Sequence, residues 1–410
     1  MHRVAPPISP VPGRPAGESR YAVILFALAL GGFAIGTSEF AMMGLMPNLV
    51  QAFSVTEPQV GHMISAYALG VVVGAPVLAI LGARLPRRTL LLALMAFYAL
   101  GNLATALAPN YATMLAFRFI AGLPHGAYFG VAMLVAADIA GPARRGAAVS
   151  QVMLGLSIAI LVGNPLATWM GQAVSWRYTF ALVALVAVIT VAMIARHLRT
   201  VPADPDQSPL RELRAFNTSQ VWLTLLIGSI GFAGMFCVFS YLTATLTHVT
   251  GVSDGWIPVA LAVFGVGSVI GNLAGGWLVD RMQFRATAVI LIWSALVLLV
   301  FPLAAHSLWT ILPAVLAIGT MGALGPALQT RLMDVAGEAQ TLAAASNHAA
   351  FNAANALGPW LGGLAITAGL GWTSTGYVGA ATAVAGLLVY LWARRDDSCS
   401  GGVVPDEALR

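Results

Sequence analysis

The sequence contains no lysine; its 20 residues counted as Lys or Arg are all arginine. We read this as the codon habit of a GC-rich genome rather than as chemistry. Charge of either sign is scarce, at 9% of 410 residues, against about 25% in an ordinary soluble protein. That excludes the common globular classes. The two cysteines, Cys237 and Cys399, form neither a disulfide framework nor a metal-ligand spacing. There is no His-Glu-x-x-His pair, no Gly-x-Ser-x-Gly elbow and no phosphate-cradling Gly-Lys-Ser/Thr loop. Zinc hydrolysis, serine hydrolysis and ATP-driven pumping therefore lack their sequence parts. The expectation is a non-enzyme without metal or cofactor. A net charge of +5 does not point to nucleic acid, because the Arg residues lie in the short breaks between apolar runs.

Apolar residues make up 59% of the chain. They fall into twelve runs, approximately 21–50, 58–82, 89–108, 111–137, 147–171, 177–197, 219–247, 256–279, 286–305, 308–330, 341–369 and 374–393. Runs of roughly 20 apolar residues span a hydrocarbon core, and in lipid such segments must be helices, since each backbone group has to be satisfied within its own segment. The first run is long enough to require tilt or a kink. Residues 1–20 are rich in Pro and Gly and read as a disordered tail. A signal peptide is the competing reading, but the run from Tyr21 far exceeds a signal peptide's apolar core and no small-residue cleavage site closes it.

Arg placement sets the orientation. With the N-terminus in the cytoplasm, Arg84, Arg87, Arg88, Arg144, Arg145, Arg196, Arg199, Arg211, Arg214, Arg281, Arg285, Arg331, Arg394 and Arg395 all fall on the inner side. The outer loops then hold essentially Arg177 alone, so the expected protein is multi-pass with both termini cytoplasmic. The longest polar connection, about 198–218, divides the runs into a 21–197 unit and a 219–394 unit, with a cytoplasmic tail at 395–410. The halves echo each other. Gly276-Trp277-Leu278-Val279-Asp280-Arg281 after span eight answers Leu81-Gly82-Ala83-Arg84 after span two, and Gly358-Pro359-x-x-Gly362-Gly363 in span eleven answers Gly163-Asn164-Pro165 in span five. Both echoes stand at nearly one offset, which argues for duplication of a six-helix unit.

Two formal charges fall well inside the runs: Glu39 in span one and Arg118 in span four. Intramembrane charges are costly and mark a functional site by default. Counting from the expected outer face at 1.5 Å per residue, Glu39 lies roughly 16 Å deep and Arg118 roughly 10 Å deep. A carboxyl group can take up and release a proton as its surroundings change between water and a nearby cation, whereas Arg keeps its charge. Glu39 is therefore the candidate proton carrier, and Arg118 the fixed cation that tunes it or meets substrate. A permanent ion bridge fixing helix packing is the alternative. Gly122 and His125 share the Arg118 face at helical spacing. His125 either joins a proton path or serves as a helix–helix hydrogen-bond partner, while Gly122 allows close packing. Span eleven carries a second polar stripe, His348, Asn352 and Asn355, beside Phe351. With Phe232, Phe236, Phe239 and Tyr241 of span seven and Met42 and Met43 near Glu39, it could line an apolar, adaptable substrate cavity; packing aromatics are the competing reading. Gly163, Pro165, Gly358, Pro359, Gly362 and Gly363 mark hinges or close-packed seams.

These residues resemble the major facilitator superfamily over about 21–395. The likeness is strongest to its twelve-span drug–proton antiporters, the branch of chloramphenicol-resistance and arabinose-efflux permeases. The marks are Gly36-Thr37-Ser38-Glu39-Phe40, the run from Arg118 through Gly122, Pro124 and His125 to Gly126, Ser175-Trp176-Arg177, and Asn352 through Asn355 to Gly358. The resemblance implies an all-α membrane protein of two pseudo-symmetric six-helix bundles, with Glu39 and Arg118 both lining a central cavity. It also implies a gating motif at the loop after span two, where Arg84, Arg87 and Arg88 remain but Ala83 replaces the motif's Asp; the copy after span eight keeps Asp280, Arg281 and Arg285. Asp280 is then expected to face Arg144 and Arg145. In the family the span-five Gly-Pro motif goes with antiport; here the fuller form lies in span eleven. The reading is a monomeric secondary transporter of the bacterial cytoplasmic membrane, exporting small organic molecules such as drugs in exchange for protons by alternating access. A sugar or metabolite exporter of the same fold is the alternative, and a membrane-embedded enzyme or transporter-like sensor a distant one.

Overall fold

The computed structural model describes residues 16–82, 85–140, 145–199, 218–335 and 340–399, and these residues contain helices and no strand. Arg84 and Arg144 lie outside them. Six long segments form the first bundle: Ala16–Gly44, Glu57–Gly82, Arg87–Ala106, Tyr111–Ala140, a fifth running from Arg145 to Ala173, and Trp176–His197. Six more form the second: a seventh from Ser219 to Thr250, then Trp256–Met282, Arg285–Ala304, a tenth from Leu308 to Val335, Gln340–Thr367 and Ser374–Cys399. Eleven of these are long and apolar enough to cross a membrane. Span eleven, Gln340–Thr367, has the length at 28 residues, but its Asn and His residues dilute its apolar character.

Boundary differences have local causes. The first run is not one helix to residue 50: the helix ends at Gly44, and a short helix, Met46–Phe53, restarts with proline in its first turn. Helix also begins at Ala16, inside the expected tail, where Arg20 donates to the carbonyl of His197 at 3.0 and 2.8 Å. The last helix runs to Cys399, past residue 394, and Asp396 there accepts from Ser219 at 2.7 Å and Gln220 at 2.9 Å. Span five contains a π-helical turn, Ala159–Gly163, just before Pro165. Proline has no N–H to donate, and widening the preceding turn accommodates the missing bond. Around Pro359, by contrast, the helix is continuous.

The core explains how the bundles meet. One apolar cluster lies wholly in the first bundle, from Ile24, Leu25 and Leu28 through Leu91, Phe129 and Val152 to Ile194. Its members come from the Arg-rich half and the middle of their helices. A second cluster joins Phe40, Met43, Leu49, Met63 and Phe180 of the first bundle to Phe236, Phe239, Leu261 and Phe264 of the second. Its first-bundle members all come from the Arg-poor half. The bundles thus share a core toward the Arg-poor end, while the first bundle keeps a cluster of its own from the middle toward the Arg-rich end.

Span two leans on span four through Gly70, Gly74 and Gly122, where a Cβ would meet the backbone of Phe119, Leu123 and Tyr67 respectively. Overpacking against backbone costs about 1–3 kcal/mol, so Gly74→Val lowers the midpoint of thermal unfolding in detergent. Gly276→Ala, whose added carbon meets nothing within 4 Å, leaves the midpoint unchanged.

Candidate functional site

Glu39 and Arg118 lie at the centre, 4% and 0% exposed, and they do not form an ion pair within 4.0 Å. Span one presents adjacent residues to different partners. Ser38 turns into its own bundle, accepting from Nη1 of Arg118 at 3.0 Å and donating to Oδ1 of Asn102 at 2.5 Å. Glu39 turns across the interface, and its Oε1 accepts from Nδ2 of Asn355 in span eleven at 2.9 Å. Adjacent residues on a helix point about 100° apart, which is how one turn serves both bundles.

The guanidinium of Arg118 lies 4.2 Å from the ring centroid of Tyr67 and 5.6 Å from that of Phe180. An aromatic face attracts a cation, the more so when both are desolvated. Nε and Nη2 of Arg118 are buried without hydrogen-bond partners, as are Oδ1 of Asn355 and Oδ1 of Asn352. Unmade bonds of this kind are costly in a resting protein and are found where a ligand or a second conformation completes them.

The sequence-named candidates separate on inspection. Asn355 reaches Glu39, whereas Nδ2 of Asn352 folds back on the carbonyl of His348 at 3.0 Å. His348 stacks on Phe129 of span four, centroids 5.2 Å apart, so it bridges the bundles on the Arg-rich side of Glu39. Phe236 and Phe351 both pack on Phe232, at 5.4 and 4.9 Å. Tyr241 is buried and donates to the carbonyl of Pro359 at 2.8 Å; Gly358 packs on Ala233 and Cys237, and Gly362 on Cys237 and Tyr241. The Gly-Pro run of span eleven is therefore a close-packed seam against span seven. His125 contacts Tyr67 of span two at 3.1 Å. Of the loop residues, Arg87 pairs with Asp138 and Arg88 donates to the carbonyl of Ala195, both within the first bundle. Arg281 lies over the ring of Trp277 at 4.1 Å, and Asp280 and Arg285 are exposed. Sequence reasoning missed Tyr67, Tyr98, Asn102 and Thr243; Asn102, a buried amide in an otherwise apolar span, was the findable one.

Further bonds join the bundles toward the Arg-poor end. Thr243 donates to the carbonyl of Met43 at 2.7 Å, Ser65 to that of Ala356 at 2.9 Å and Gln172 to that of Asp254 at 3.1 Å. At the rim, Nε2 of His248 meets Oε1 of Glu57 at 3.1 Å.

Comparison with known proteins places this geometry. The model of the Major Facilitator Superfamily matches residues 28–341 and again 244–408. The chain belongs to the Major Facilitator Superfamily. Inner membrane transport protein YdhP of Escherichia coli (strain K12) is 37% identical over 373 residues, 90% of this chain and 96% of that protein. A chloramphenicol resistance protein of Streptomyces lividans is 33% identical over 345 residues, 82% and 87% of the two chains. The fold is shared with the crystal structure of a bacterial homolog to the human lysosomal transporter Spinster, in an inward-facing and unoccupied conformation. That match has a TM-score of 0.70 at 18% identity, covering 91% of this chain and 95% of that one. The protein is thus a multi-pass membrane transporter of that superfamily.

Among the described residues, Asn355 makes the one hydrogen bond that ties Glu39 to the second bundle. Replacing it by Ala loosens closure of the Arg-poor end. A Met43→Cys reporter then reacts about fivefold faster with a membrane-impermeant maleimide, as loss of a roughly 1 kcal/mol hydrogen bond implies.

Proposed function

We propose that this transporter exports small organic molecules, drugs among them, in exchange for protons, and that Glu39 carries the proton. One observation supports this above the others: Glu39, at the centre, accepts a hydrogen bond from the opposite bundle, and the two bundles pack together from there toward the Arg-poor end. A bond to a carboxylate is stronger than one to a neutral acid, so loss of the proton favours closure there and uptake favours opening. With the Arg-rich end cytoplasmic by the positive-inside rule, the closed end faces outward. The proton is then bound when the outer face opens and lost when it closes, the sense an antiporter requires. Arg118 stands near as a fixed cation, held on Ser38 rather than on Glu39.

We place the protein in the bacterial cytoplasmic membrane as a monomer with both termini inside and no cofactor beyond the proton gradient. The gradient is adequate: one charge moved through 100 mV supplies about 2.3 kcal/mol. The aromatic cluster of Phe232, Phe236 and Phe351 would suit apolar substrates, and the name of the Streptomyces relative makes chloramphenicol the first compound to try. Chloramphenicol added to purified protein in weak buffer releases protons, and Glu39→Gln abolishes the release while the protein stays folded. Undiminished release from the Gln variant would remove Glu39 from the coupling.

A further inference from the structure

Four helices of the first bundle are joined by a chain of hydrogen bonds whose direction can be worked out. Nδ1 of His125 (span four) lies 3.1 Å from the hydroxyl of Tyr67 (span two). That hydroxyl lies 3.2 Å from the hydroxyl of Tyr98 (span three), which donates to the carbonyl of Ile35 (span one) at 3.3 Å. A carbonyl only accepts, so the hydrogen of Tyr98 is committed to Ile35. The link between the tyrosines must then use the hydrogen of Tyr67. Each hydroxyl has one hydrogen to give, so the remaining link must be donated by His125 from Nδ1. The chain reads His125 Nδ1–H to Tyr67 oxygen, Tyr67 O–H to Tyr98 oxygen, Tyr98 O–H to Ile35 oxygen. It ends on a backbone carbonyl, which accepts a hydrogen bond but cannot pass a proton on.

We infer that His125 is not a proton carrier but a positioning residue, and that with Tyr67 and Tyr98 it fixes Arg118. The ring that this chain pins is the one 4.2 Å from the guanidinium. Holding the hydroxyl of Tyr67 at both sides sets the ring plane, and the ring plane sets where the cation rests. Ser38 takes Nη1, and Nε and Nη2 stay unmade. The groups around the imidazole agree with a donor in a fixed tautomer. Tyr67 faces it from span two, Tyr98 stands behind Tyr67 on span three, and Arg118 lies two turns away on its own helix. His348 of span eleven is also near, since the ring of Phe129 packs on both imidazoles, 5.4 Å from His125 and 5.2 Å from His348. The inference rests on the reading of Arg118 as the fixed cation beside Glu39.

The test needs no substrate, so its failure is separable from failure of the export reading. Full-length protein in lipid, labelled with 15N at its 7 histidines and at arginine, is observed by solid-state NMR, with His125 assigned by difference. His125 is expected to carry its hydrogen on Nδ1 with Nε2 bare, and Tyr67→Phe shifts it toward the Nε2–H form. The two Nη signals of Arg118 are distinct in the native protein. They merge in His125→Leu and separate again in His125→Asn, whose amide can donate from the same place but cannot carry a proton. An Nε2–H tautomer in the native protein overturns the inference. So do Arg118 signals that ignore His125→Leu, or an Asn variant that behaves like the Leu variant.

Discussion

Removal from water is the constraint on which everything else in this protein depends. A hydrocarbon core offers no partner to an N–H, a carbonyl or a charge, so each must be satisfied within the chain. That makes every described span a helix. It also explains why Arg118, fully buried, is surrounded by a hydroxyl, two aromatic faces and a nearby carboxyl group. An isolated intramembrane cation costs several kcal/mol. Here the cost is met by dispersed contacts rather than by a direct ion pair, and this leaves Glu39 free to engage the other bundle.

Closure of the Arg-poor end combines two kinds of contact with different tasks. Apolar packing between Phe40, Met43 and Met63 on one side and Phe236, Phe239 and Phe264 on the other is non-directional and could be remade in another register. The hydrogen bonds from Asn355, Thr243, Ser65, Gln172 and His248 fix the register. At about 1 kcal/mol each they amount to a few kcal/mol, comparable with the roughly 2.3 kcal/mol per 100 mV that one proton brings.

The large features were legible in the residues. Twelve apolar runs, the Arg pattern and the repeated Gly-Pro and loop motifs foretold twelve helical segments in two related halves. Glu39 and Arg118 stood out because charge in lipid is rare. What could not be read was who touches whom. Tyr67 and Tyr98 look like ordinary aromatic core residues in spans two and three, and nothing in their spacing shows that their hydroxyls meet His125 and each other. The break at Leu45 and the π-turn before Pro165 were also hidden, because a proline marks where a helix is perturbed but not whether it breaks, as before Pro47, or widens, as before Pro165. The pairing of Glu39 with Asn355 joins residues 316 apart in the chain, and only the approach of the bundles reveals it.

Ser38 and Glu39 show why a carboxyl group and a cation can lie close together without cancelling. Had the carboxylate paired directly with Arg118, protonation would have to break a desolvated ion pair inside one rigid bundle, a change of several kcal/mol with no structural consequence. With Ser38 holding the guanidinium and Glu39 turned to Asn355, the cation still acts on the carboxyl group through space, and in the proposed exchange for protons the bond that would respond to protonation is one that crosses the interface. On that proposal a chemical change at one oxygen would become a preference between two arrangements of the bundles, since a ligand or proton shifts such an equilibrium only through differential interaction with its two states.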